Sequence, residues 1–180
     1  MKKLLVLATA LTVVLLLSVG PAMAQYHPVV VDRTAFTLTY TPVGATSATT
    51  FAVSYAFGPT WDLLASSTSG PAAATNFRFG GRFHLRAPGP DNDLYLTAQY
   101  ASPAAPATSY ILLGTGLTHT LAPGLKAYVA ANYSTQTGAQ FIYWNAGWQY
   151  ELSRQLSMVA GWDEFTGNGY VGLSYLFATR

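Results

Sequence analysis

The sequence predicts an all-β protein: a closed antiparallel up-and-down barrel of ten strands behind a cleaved leader, with eight strands as the alternative. Three observations predict it. After residue 24, nearly every segment alternates apolar and polar side chains, a period of two that places one set on each face of a sheet. The links between segments alternate between tight turns and looser stretches of Ser, Thr, Ala, Gly and Pro. Charge is scarce: Asp, Glu, Lys and Arg make up 9% of the chain, against about 25% in an ordinary soluble domain.

Residues 1–24 read as a secretory signal. Lys2 and Lys3 form the basic start, an apolar stretch runs from Leu4 to Val19, and Ala22-Met23-Ala24 fits the small-x-small cleavage rule. An uncleaved membrane anchor is the other reading, which Gly20-Pro21 opposes by breaking the helix just before the cleavage site. Residues 25–180 then form a single barrel domain. With Lys2 and Lys3 set aside, nine Lys and Arg become seven, against seven Asp and Glu. The apparent basicity belongs to the leader, so nucleic acid is not expected as a partner. There is no Cys, so neither disulfides nor thiolate metal sites support the fold. No later stretch reaches the roughly 18 apolar residues that a membrane helix needs.

The elements follow in order. The first, 33–41, sets Phe36, Leu38 and Tyr40 against Thr37, Thr39 and Thr41; the second, 49–57, sets Phe51, Val53, Tyr55 and Phe57 against Thr50, Ala52 and Ser54. The third, 60–67, carries Trp61 and Leu63 opposite Asp62. The fourth is the clearest, with Phe77, Phe79, Phe83 and Leu85 on one face and Asn76, Arg78, Arg82, His84 and Arg86 on the other. The fifth (93–101), sixth (109–119), seventh (124–134) and eighth (140–151) alternate likewise. Leu94, Ile111, Val129 and Trp144 lie on their apolar faces, and Tyr95, Gly114, Tyr128 and Asn145 on the others. The ninth, 155–163, carries Leu156, Met158, Ala160 and Trp162, and the tenth, 170–178, carries Val171, Leu173, Tyr175 and Phe177 opposite Gly172 and Ser174.

The even links (58–59, 87–92, 120–123 and 152–154) read as tight turns, and the odd links (42–48, 68–75, 102–108, 135–139 and 164–169) as longer loops. In a transmembrane barrel the short turns are periplasmic and the long loops extracellular, so both mature termini are expected in the periplasm. Only a helix or a closed barrel pairs every backbone N–H and C=O in hydrocarbon. Apolar faces turned outward fit lipid. Tyr40, Tyr55, Tyr100 and Tyr133 are expected in one aromatic girdle, and Trp61, Tyr150, Tyr175 and Phe177 in the other.

On these alternating strands and links the mature chain resembles the small outer-membrane β-barrel proteins of diderm bacteria. The resemblance is one of architecture and rests on no single motif. It implies the bacterial cell outer membrane as location, its lipids as surroundings, and the barrel-assembly machinery as partner. One departure stands out: family members usually finish on an aromatic residue that this machinery reads, whereas here Ala178-Thr179-Arg180 follow Phe177.

The most unusual polar feature is the inward ladder of Arg78, Arg82, His84 and Arg86, with Asp62, Asp93 and Glu151 as candidate luminal acid partners. Buried charges need partners, and a barrel of about eight strands is just filled by side chains. The expected function is therefore structural, an envelope barrel with a mostly filled lumen. The alternatives are a narrow anion-preferring channel for small solutes, since basic side chains in a pore favour anions, and a soluble lipocalin-like lipid-binding barrel with its apolar faces inward. No catalytic assembly, metal site or cofactor is expected: His27, His84 and His119 fall away from Asp163 and Glu164 at the predicted outer rim, so a Ser-His-Asp arrangement is hard to build.

Overall fold

The computed structural model describes residues 33–43, 46–70, 73–85, 91–103, 109–135, 142–164 and 167–177. Residues 1–24, which read as a signal, lie outside them, as do His27 and Arg86. Ten strands are present: β1 (Ala35–Val43), β2 (Thr46–Ala56), β3 (Trp61–Gly70), β4 (Ala73–His84), β5 (Asn92–Pro103), β6 (Tyr110–Ala122), β7 (Leu125–Ser134), β8 (Ile142–Glu151), β9 (Leu156–Asp163) and β10 (Asn168–Leu176). Each pairs antiparallel with its neighbours in sequence, and β1 pairs with β10, closing the barrel. That seam runs from Ala35 opposite Leu176 to Tyr40 opposite Val171. Outside it, Phe36 packs its ring against Phe51, Tyr175 and Phe177 at centroid distances of 5.9, 5.3 and 6.3 Å.

The alternation in sequence becomes an alternation of inside and outside. Phe36, Leu38 and Tyr40 are exposed on β1, whereas Thr37, Thr39 and Thr41 are buried. Phe77 and Phe79 are half exposed on β4, whereas Asn76, Arg78, Arg82 and His84 are 1–3% exposed. The outer belt is thus apolar and the interior polar, the reverse of a soluble barrel. This overturns the lipocalin-like alternative, which requires apolar faces inside, and ten strands replace the alternative of eight. On β9 both faces are covered, with Met158, Val159 and Ala160 at 5% exposure or less.

Inward glycines let the interior fill. Tyr95 stands opposite Gly116, Tyr128 opposite Gly147 and Tyr170 opposite Gly161 across neighbouring strands. A Cβ on any of these glycines would collide with the facing phenol. Each phenol occupies the space its glycine leaves, an aromatic-on-glycine device that also accommodates strand curvature. Tyr128 and Tyr170 bring their hydroxyls into hydrogen-bond contact inside the barrel.

Three expectations are corrected. The odd links are not systematically longer: only residues 44–45 separate β1 from β2 and only 71–72 separate β3 from β4, while 85–91 separate β4 from β5. The Ser-, Thr- and Ala-rich stretches flanking the first and third links join the ladder, with Pro42 opposite Ser47 and Thr68 opposite Asn76. Tyr55 sits near the end of β2 that leads into the turn at 57–60. It therefore lies at the same end as Trp61 and the chain termini, not with Tyr40. Glu151, a candidate luminal acid, is exposed at the end of β8, because the strand runs out there into the 152–155 turn.

Candidate functional site

Arg33, Asp62, Arg82, His84 and Asp93 meet inside the barrel at the end where the described chain begins and ends. Asp62 is the hub. Alternation on β3 turns its carboxylate inward, where the side chain is fully buried. Arg82, opposite it on β4, donates from Nε at 2.8 Å and from a terminal nitrogen at 2.6 Å to Oδ2. Arg33, just before β1, reaches across β2 and donates from Nε at 2.8 Å to Oδ1. The same guanidinium holds the backbone carbonyls of Gly58 at 2.7 Å and Trp61 at 3.2 Å. Ser54 Oγ donates to the Arg33 carbonyl, which fixes the segment against β2.

His84 bridges two carboxylates. Its Nε2 lies 2.8 Å from Asp62 Oδ2 and its Nδ1 2.8 Å from both oxygens of Asp93. An ionised carboxylate only accepts, so the arrangement suits a ring that donates from both nitrogens. Tyr95 closes the cluster from β5, its ring centroid 5.3 Å from the Arg82 guanidinium carbon and 6.4 Å from the His84 ring. Chemically this is an ion-pair network that joins two carboxylates to two guanidinium groups and an imidazole. Among the described residues no group of three His, Asp or Glu side chains has a metal-holding arrangement.

Of the predicted ladder, Arg82 and His84 meet Asp62 and Asp93 here, while Arg78 lies further along the lumen and Arg86 is outside the described residues. Glu151 stands apart from the cluster. Sequence reasoning missed Arg33: it falls at the start of the first predicted strand, on the same parity as Thr37, Thr39 and Thr41, but is not among the predicted luminal charges. It also left Asp163 at the outer rim without a role, whereas the residue is fully buried.

Beyond the cluster, a central cavity of about 50 Å³ is lined by residues including Arg78, Arg82, Tyr95, Gln99, Asn132 and Asn145. That is room for a few water molecules.

A closed antiparallel meander, apolar outside and polar inside, defines the fold of the small outer-membrane barrels. The solved structures to which this chain is similar are of that kind. They include the NanC porin (7% identity, TM-score 0.55, covering 80% of this chain and 99% of that one) and the KdgM porin (10% identity, TM-score 0.54, covering 81% and 100%). The KdgM porin in complex with disordered oligogalacturonate also matches, with 14% identity, a TM-score of 0.52, and the same 81% and 100% coverage. At these identities the likeness is one of fold. No family model matches the chain, and no curated protein matches it.

Proposed function

We propose that the protein is a non-enzymatic, structural barrel of the bacterial outer membrane whose lumen is plugged rather than open to solutes. The observation that carries this reading is the Asp62 knot. Two guanidinium groups and an imidazole converge on one buried carboxylate at the termini end of the barrel, and the cavity that Arg78 and Arg82 line beyond it is about 50 Å³. Opening a path would separate buried charges from their partners, which is costly in a low-dielectric interior. The apolar belt fits membrane lipid, and the leader implies export and insertion by the barrel-assembly machinery. In that reading the end carrying both termini faces the periplasm.

One observation favours a second reading, a narrow anion-preferring channel: Arg78 and Arg82 both line the central cavity, and basic side chains in a pore favour anions. The KdgM porin holds an oligogalacturonate, itself a polyanion. Planar-bilayer recording from the purified protein separates the two. The structural reading expects little conductance. Steady anion-selective currents, abolished by Arg82→Glu in a barrel that still folds, would replace it with the channel.

A further inference from the structure

Among the described residues the outer belt has a gap on β4 and β5. Gly81 on β4 and Ala98 on β5 face each other across the two strands and both point outward. The pairs on either side are bulky: Phe79 with Tyr100, and Phe83 with Leu96. Laterally, Leu63 stands beside Gly81 and Leu113 beside Ala98. Trp61 tilts over the lower rim, its ring centroid 4.7 Å from that of Phe83. On the Phe83–Leu96 side of the Gly81–Ala98 pair lies a groove of about 480 Å³ in the lipid-facing wall, whose lining includes Trp61, Gly81, Phe83, Leu96, Ala98 and Leu113, within the ~300–1,000 Å³ range of ligand clefts.

Gly81 differs from the inward glycines. A Cβ there would meet the Asp62 carbonyl oxygen at 3.6 Å and the Trp61 ring at 3.8 Å, which are ordinary contacts. Packing within the chain therefore does not require glycine at this position. What its missing side chain preserves is the groove.

We propose that this groove seats one acyl chain of a glycerophospholipid from the periplasmic leaflet. The lining is almost wholly apolar, so it offers nothing to a polar ligand. Eight of the described residues line it, far short of the roughly 20–30 residues a side of a standard protein interface. Apolar surface is not scarce in a bilayer, so retention comes from contact. A chain in the groove touches walls on several sides, and an unfilled groove forfeits that dispersion energy. Depth selects the leaflet, because Gly81 and Trp61 lie toward the termini end of β4 and β3. The leaflet assignment rests on the outer-membrane orientation proposed above.

Native mass spectrometry of the full barrel, extracted from membranes in mild detergent, tests this. The expected result is a single glycerophospholipid retained per barrel, lost at least several-fold in Gly81→Leu and kept in Ala131→Leu, an outward position away from the groove. Heat-modifiable migration in gels checks that each variant is folded. A folded wild type without retained lipid overturns the proposal, as does equal retention in Gly81→Leu, or retention of a lipopolysaccharide instead. A wild type that does not insert into bilayers overturns the membrane reading itself, and this proposal with it.

Discussion

Asp62 takes three basic partners in the interior cluster, and the consequences of removing it follow from that. Its carboxylate takes Arg33, Arg82 and His84, so Asp62→Asn leaves two guanidinium groups and an imidazole without their shared counter-charge. Removing one partner of a buried pair costs about 3–5 kcal/mol. Among the described residues Asp93 hydrogen-bonds to His84 and is partly exposed, so Asp93→Asn is expected to cost less. Urea unfolding from lipid vesicles would rank the two, and equal losses would show that Asp62 is not the hub. The inward position of Asp62 was legible from one fact, that it stands between Trp61 and Leu63. That it would collect three cations was not. Arg33 lies upstream of its own strand, and which residues it reaches depends on how the chain enters the barrel. The tyrosine–glycine pairs were half legible: both residue types read as inward-facing, but that Tyr95 meets Gly116 is a matter of register between two strands, which alternation within one strand cannot supply.

Strand existence and facing were readable because a period of two is expressed within a single segment. Strand ends were not. β2 begins at Thr46 and β3 continues to Gly70, through Ser, Thr and Ala that suit a loop or a ladder equally well. Their hydrogen bonds are decided by the neighbouring strand, and the expected contrast between short and long links dissolved for that reason. Facing itself supports a quantitative expectation. Val129 is 46% exposed in the middle of β7, while Lys126 lies three residues earlier on the inward-facing set that includes Tyr128. Val129→Arg is expected to cost about 2–4 kcal/mol, the penalty of a cation near the bilayer midplane. Lys126→Arg places a cation on the same strand, where one is already accommodated, and is expected to be nearly neutral. If both cost the same in a lipid-refolding titration, the inside and outside of β7 are wrongly assigned.

For the whole molecule, the lumen is divided. The ionic cluster draws on residues 33–95, at the start of the chain through β5, while the pair of tyrosines in hydroxyl contact comes from β7 and β10. What joins the two halves at the seam is the β1–β10 ladder. The two ends of the described chain meet there, with the Phe177 N–H donating to the Thr34 carbonyl at 3.4 Å. The polypeptide order is therefore a poor guide to where this barrel is closed, and a strong test follows. A circular permutant that joins 177 to 33 through a short flexible linker and opens the chain between Pro123 and Gly124 breaks one tight turn and no ladder. Surface turns tolerate such openings, and every backbone group that must be paired in hydrocarbon stays paired. Refolded into vesicles, the permutant is expected to show heat-modifiable migration and a denaturation midpoint close to that of the parent. An open sheet would behave otherwise: with no β1–β10 pairing to preserve, tying its two edges together would force an unmade closure, and the permutant would aggregate under conditions in which the parent folds.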